Sequence, residues 1–168
     1  YAYVVDSETG LIVIDVSNPA NPQGVGLNGD VHASFVTLSG NHAIVEFGGW
    51  GSSGFEVIDI SDPTDPRRVS ARSSSYYTGL AVSGTYVYVL DVLRGLEVID
   101  ISDPAQPQLV SRNTSFSGVG GVAVHGDKVY LTTEDSGLTI LNTYQPMPSR
   151  QPLLRVEDAR IHLSLTAD

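Results

Sequence analysis

Three carboxylates recur in this chain at the ends of apolar runs. Asp15, Asp59 and Asp100 are followed by Ser17-Asn18-Pro19, Ser61-Asp62-Pro63 and Ser102-Asp103-Pro104. A carboxylate can serve as a general acid or base, but a catalytic group is needed once and these are copied three times. At the edge of a tight turn the same side chain accepts backbone N–H groups and fixes an Asx or ST turn. The copies are therefore expected to be architectural, with each proline fixing φ and stopping the run.

A second acidic set comprises Asp6 and Asp91, with Glu134 and Asp135 just beyond the matching place in a later segment. Carboxylates and carbonyls in such loops can hold a hard cation, calcium above all. The spacing is no recognised calcium loop, and Phe47, beside Glu46, stands at the corresponding place in another segment. Turn capping is the expectation, calcium at Asp6, Asp91, Glu134 and Asp135 the alternative, and no other cofactor is implied. Glycan cleavage would need two unrepeated carboxylates converging to about 5–10 Å. Glu46, Glu134 and Asp135 are the candidates and are expected not to converge. His32, His42, His125 and His162 form no His-x-His or His-x3-His pair, which argues against zinc. No nucleophile elbow, phosphate loop or dinucleotide fingerprint is present, so no catalytic residue is assigned.

The remaining chemistry is aromatic. The single Trp, Trp50, sits in Gly48-Gly49-Trp50-Gly51-Ser52-Ser53, three residues longer than the corresponding Val92-Leu93-Arg94. Aromatics between glycines can stack on a sugar or anchor a protein partner, and Tyr76, Tyr77 and Phe116 fall in comparable connections. A plug between neighbouring sheets is the competing reading for Trp50. Asn113-Thr114-Ser115 matches a glycosylation acceptor, a common tripeptide of little weight.

These residues are positioned by a repeat. The segment from Gly10 to Pro22 recurs from Gly54 to Pro66 and from Gly95 to Pro107, with a decayed copy from Gly137, at spacings of 44, 41 and 42 residues. Within one period the breaks predict four strands: Thr78 to Ser83 (A), Tyr86 to Asp91 (B), Leu96 to Ile101 (C) and Gln108 to Arg112 (D). Each break carries Gly, Pro, Asn or Asp. Runs such as Leu11 to Val16 and Val98 to Ile101 are apolar on both faces, which requires a layer on each side. Blades stacked around an axis supply those layers, and no helical period is long enough to do so.

The expected fold is all-β: a β-propeller of about four blade equivalents, each of four antiparallel strands. The blade repeats cover about 1–31, 32–75, 76–117 and 118–158, and 159–168 is a closing or linking strand. Arg160 to Leu165 pairing with Tyr1 to Asp6 would close a small ring; otherwise the chain is an arc of a larger one. In that geometry the B–C and D–A connections share a rim, which places Trp50, Tyr76, Tyr77 and Phe116 together.

A chain of 168 residues can bury about two thirds of its unfolded surface. There is no cysteine, and 19 acidic residues against 9 basic ones give a net charge of -10. That charge, with its arginines scattered, disfavours nucleic acid. No apolar run approaches 18 residues, so neither a membrane span nor a signal peptide is expected within the segment, which reads as a mature product or a fragment.

The segments Leu11-Ile-Val-Ile-Asp15, Glu56-Val-Ile-Asp-Ile-Ser-Asp-Pro63 and Glu97-Val-Ile-Asp-Ile-Ser-Asp-Pro104 resemble the LVIVD repeat. This is a propeller-type repeat found mainly in bacterial and archaeal exported or cell-surface proteins. The resemblance covers about residues 1–142 and implies a propeller and a secreted or cell-surface location; the family has no common catalytic residue to carry over. The functional expectation is a noncatalytic scaffold binding protein or glycan at one rim. A structural subunit of a surface assembly is the alternative and a glycan-active hydrolase or lyase the third reading. Further blades, another domain or a second copy are the expected structural partners.

Overall fold

The computed structural model describes residues 1–29, 32–49, 52–74, 76–116, 118–134, 137–144 and 159–161. Their regular structure is entirely β-strand, in four antiparallel meanders. Sheet I holds β1 (Ala2–Asp6), β2 (Gly10–Asp15) and β3 (Gln23–Asn28). Sheet II holds β4 (Ala33–Ser39), β5 (His42–Gly49), β6 (Ser52–Asp59) and β7 (Arg67–Ser74). Sheet III holds β8 (Tyr77–Ser83), β9 (Tyr86–Asp91), β10 (Gly95–Asp100) and β11 (Gln108–Asn113). Sheet IV holds β12 (Val119–His125), β13 (Lys128–Thr133), β14 (Gly137–Asn142) and β15 (Ala159–Ile161). These are the blades of a β-propeller, as the repeat predicts.

The chain forms two compact units. One comprises Tyr1–Ser75 with Ile101–Pro107, the other Tyr76–Asp100 with Gln108–Asp168. Each has a core built by the same rule. Side chains alternate across a strand, so every sheet has a face a (Tyr3, Val5, Leu11 and Val13 in sheet I) and a face b (Ala2, Val4, Ile12 and Ile14). In the first unit, Tyr3, Val5 and Leu11 of face a pack with Ala43, Val45 and Ile58 from face b of sheet II. In the second, Tyr88, Leu90, Leu96 and Val98 of sheet III pack with Val129, Leu131 and Leu141 from face b of sheet IV. The two-faced apolar strands follow from this stacking, and in β10 every residue from Gly95 to Ile99 is buried.

Three local features depart from the sequence reading. The long Gly48–Ser53 connection is largely a hairpin extension, since Gly48 pairs with Ser53 and Gly49 with Ser52; Trp50 and Gly51 lie outside the described residues. Arg160 pairs with Thr139 rather than with β1, so this strand fills the outer edge of sheet IV. The reason is that the outer edge of β14 offers unpaired backbone groups, which a fourth strand satisfies. Third, each outer strand of sheets I to III carries a β-bulge opposite its C strand, at Val13/Ile14, Val57/Ile58 and Val98/Ile99. The extra residues, Val25, Val69 and Val110, add local twist at matching points of the repeat.

The glycine that opens each C strand has a steric cause. Gly95 has φ +76°, and a Cβ there would lie 2.2 Å from the carbonyl oxygen of Asn113; Gly10, at φ +85°, would meet that of Asn28 at 2.3 Å. Gly84, in the A–B turn at φ +58°, has open space around it. Gly84→Ala is therefore expected to cost about 1 kcal/mol through backbone conformation alone. Gly95→Ala should cost clearly more, because the β10–β11 pairing must also open, and urea denaturation of the two variants checks the order. Leu96→Ala, emptying a fully buried position of the second core, should cost about 2–5 kcal/mol.

Candidate functional site

The repeated carboxylates are occupied by their own turns. Asp15 Oδ1 accepts from Ser17 N at 2.8 Å, and Asp59 Oδ1 from Ser61 N at 2.8 Å. One step on, Asp62 Oδ1 accepts from Thr64 N at 2.9 Å and from its hydroxyl at 2.7 Å, while Asp103 Oδ1 accepts from Ala105 N at 3.1 Å. The backbone N–H of Ser17 holds the Asp15 carboxyl below the usual range, and that of Ser61 does the same for Asp59. At Asp62 the Thr64 hydroxyl is the main cause. This is the architectural role expected for the copies.

The turn behind them also reaches its neighbour. In the first unit, Asn28 Nδ2 donates to the Pro66 carbonyl at 3.2 Å, and a Cβ on Gly26 would lie 2.1 Å from the Pro63 carbonyl oxygen. Ser70, at the position matching Gly26, donates its hydroxyl to the Pro104 carbonyl at 2.6 Å. The Asp-Pro turns thus hook onto an outer strand, so the prolines do more than end their own.

The B–C turns behave alike. Asp6 Oδ1 accepts from Glu8 N at 3.0 Å and Thr9 N at 2.9 Å; the Thr9 side chain, with these two N–H groups, lowers its pKa. Buried Asp91 takes Leu93 N and Arg94 N, each at 2.9 Å, and the Arg94 guanidinium at 3.0 Å. Glu134 is exposed, its N–H donating to the Gly118 carbonyl at 3.0 Å, and Asp135 lies outside the described residues. Among the described residues no three His, Asp or Glu side chains form a group able to hold a metal ion. Of the carboxylates considered for glycan cleavage, Glu46 is half-buried on β5, where burial pushes its carboxyl up.

Within each unit a B–C turn is tied to a D–A link. Val92 N donates to Tyr76 O at 3.0 Å, tying the B–C turn of sheet III to the link that enters β8; Glu134 and Gly118 make the same tie in sheet IV. In the first unit His32 Nδ1 lies 2.7 Å from the Ser7 carbonyl, which requires the ring nitrogen to donate. Of the four aromatics proposed from sequence, the three within the described residues differ in exposure. Tyr76 is 46% exposed. Tyr77 is buried and donates its hydroxyl to Glu97 at 2.9 Å, and half-buried Phe116 packs on the second core. Tyr77 and Phe116 alternate inward because the β8 and β12 entries tuck one side chain into the sheet stack. Trp50 lies outside the described residues. Asn113 is also buried, its Oδ1 accepting from Ser115 N at 2.9 Å, which disfavours glycosylation there.

Sequence reasoning missed two buried glutamates that pair with solvent-exposed arginines. Glu97 is 1% exposed and accepts from Arg112 Nε at 2.9 Å and Nη2 at 2.6 Å as well as from Tyr77. Glu56, equally placed on face b of sheet II, meets Arg68 at 3.0 Å. The signal was an acidic residue recurring at the third place of an otherwise apolar C strand, with arginines on the following strand. Sheet I replaces it with Ile12, opposite Leu27.

Residues 1–27, 30–71 and 76–114 match the family model of the LVIVD repeat. No curated protein matches the chain. Among solved structures it is similar to a chain in the crystal structure of a nidogen/laminin complex, at 13% identity and a TM-score of 0.56, over 83% of this chain and 54% of that one. The chain thus spans about half the length of that relative, and the likeness concerns the fold alone.

Two outcomes follow. The turn carboxylates are lowered in the folded state, so their stabilisation is full above the ordinary carboxylate range and is lost as the pH falls below about 4. The urea midpoint should hold from pH 7 to 5 and then fall, more shallowly in an Asp15→Asn/Asp59→Asn variant, whose amides still accept but do not titrate. Arg112→Leu removes the guanidinium from the buried Glu97 carboxylate, which keeps the Tyr77 hydroxyl, and should cost about 1–3 kcal/mol. Copying sheet I with Glu97→Ile and Arg112→Leu, plus Tyr77→Phe, should recover more than half of that loss in the same assay.

Proposed function

The chain belongs to the LVIVD-repeat family, and from that premise we propose that it is a noncatalytic scaffold at an exported surface, binding a protein or glycan through the rim of its B–C and D–A connections. The observation that carries the reading is the division of labour among polar groups. Asp6, Asp15, Asp59, Asp62, Asp91 and Asp103 serve their own turns, and the buried Glu56 and Glu97 pair with Arg68 and Arg112. The candidates for recognition are unrepeated aromatics of the B–C and D–A connections: Tyr76, 46% exposed, and the glycine-flanked Trp50 of the sequence. Exposed aromatics offer a large contact area at little entropic cost. The similar solved chain belongs to a nidogen/laminin complex, which fits a propeller used for protein contact. The reading requires no resident cofactor, so millimolar calcium should leave the melting temperature unchanged; a rise would favour the calcium alternative at Asp6 and Asp91.

The test is a glycan array together with a panel of purified surface proteins, probed with the wild-type chain and with Trp50→Ala/Tyr76→Ala. The expected result is at least one ligand whose binding falls tenfold or more in the variant at unchanged melting temperature. Ligands bound equally by both forms, or cleavage of a bound glycan, would overturn the rim-binding scaffold.

A further inference from the structure

Two B–C turns of the chain are held alike and differ in what they show to solvent. In sheet I, Asp6 Oδ1 accepts from the N–H groups of Glu8 and Thr9 at 3.0 and 2.9 Å; in sheet III, Asp91 Oδ1 accepts from those of Leu93 and Arg94, each at 2.9 Å. The carboxylate fixes the turn through backbone groups, so it does not fix the identity of the side chains that follow. Sheet I carries Ser7-Glu8-Thr9 there, all exposed, and sheet III carries Val92-Leu93-Arg94. Val92 is 45% and Leu93 67% exposed. Holding this turn does not require an apolar tip.

The link entering β8 has changed with the turn. Val92 N donates to the Tyr76 carbonyl at 3.0 Å, which sets the exposed Tyr76 beside the tip, and the same tie in sheet IV joins Glu134 to Gly118. By register, the positions matching Tyr76 are His32 and Gly118, and those matching Val92 include Ser7 and Glu134. Among the described residues, only sheet III gathers an aromatic and two aliphatic side chains at this place. The patch lies at the ends of β9 and β10 and not on a sheet face, so stacking by a neighbouring sheet does not account for it. Single exposed apolar residues are ordinary, but a cluster at a position that is otherwise polar marks a contact.

The chemistry of the patch selects its ligand. Its turn N–H groups are committed: that of Val92 to Tyr76, and those of Leu93 and Arg94 to Asp91, whose Oδ2 accepts from the Arg94 guanidinium at 3.0 Å. A glycan brings many hydroxyls, and each one left without a partner on binding costs free energy. An apolar protein surface needs no such partner and gains from burying Val92 and Leu93 with Tyr76. With Arg94 matched to Asp91, the field around the patch is that of a chain of net charge -10, which draws basic partners and repels acidic ones.

We propose that the Tyr76–Val92–Leu93 patch anchors a protein contact, and that its partner is a protein segment whose apolar side chains are bordered by lysine or arginine. The proposal rests on the rim reading above and narrows its ligand from protein or glycan to protein, with Val92 and Leu93 as the residues that select it.

The test uses Val92→Ser/Leu93→Glu, which writes the sheet I tip onto the sheet III turn, keeps Asp91 and Arg94, and should leave the melting temperature unchanged; should it not, Leu93→Ser takes its place. The probes are a phage-displayed library of random peptides, selected on the wild-type chain, and a glycan array. Each is then measured against the wild type, this variant and Trp50→Ala/Tyr76→Ala. Selected peptides should share apolar residues flanked by Lys or Arg and bind Val92→Ser/Leu93→Glu tenfold or more weakly, and the array should show no ligand that depends on these two residues. Peptides weakened only by Trp50→Ala/Tyr76→Ala, or glycans released by Val92→Ser/Leu93→Glu, would overturn this proposal and leave the rim reading standing. Acidic peptides without apolar residues would overturn the stated partner. No binder of either kind, or binding that neither variant weakens, would overturn both.

Discussion

A small antiparallel sheet made of strands that are apolar on both sides cannot rest in water on either of them. The hydrophobic gain from burying one face, at roughly 25 cal/mol per Å², leaves the other face exposed until a second layer arrives. Every other feature of this chain answers that constraint. The cores at Leu11, Val45 and Ile58 and at Tyr88, Leu96 and Leu131 are formed between sheets and not within one, and the nearly constant repeat length keeps successive sheets the same size so that their faces match.

The same constraint sorts the charges. A carboxylate placed at a strand end can stay wet and still stabilise the chain by accepting turn N–H groups, which is what Asp15 and Asp59 do. A carboxylate buried on a sheet face needs a cation and further donors, which Glu97 finds in Arg112 and Tyr77. Such a pair adds little net stability relative to apolar residues of similar size. It does fix which strand positions face each other, since only one register places the guanidinium against the acid. These acidic groups are committed to architecture, and the proposed recognition therefore rests on aromatics and not on them.

Much of the fold was legible because its determinants are local and repeated. Gly-x-x-Val-Ile-Asp followed by Ser-Asp-Pro marks a C strand and its turn wherever it occurs, and predicted strands such as Tyr86 to Asp91 coincide with those observed. What was not legible depends on partners distant in sequence. The bulges at Val25, Val69 and Val110 arise only from cross-strand register. The inward turn of Tyr77 depends on Glu97, twenty residues away, and an aromatic pair such as Tyr76-Tyr77 does not announce which ring will be wet. The pairing of the strand at Arg160 was left open between closing and linking, because any open edge can accept a strand and sequence shows no preference between β1 and β14.

The central claim, that the inner strands are covered on both sides, is most directly tested by native-state hydrogen exchange. In a sheet covered twice, amides on adjacent residues of β10, pointing to neighbouring strands, are shielded together. The account predicts that Leu96 to Ile99 and Val87 to Leu90 exchange only through cooperative unfolding, with one shared free energy and the full denaturant dependence of the domain. Fast, denaturant-independent exchange along β9 and β10 would contradict it, because strands of this composition would then be open to water in the native state.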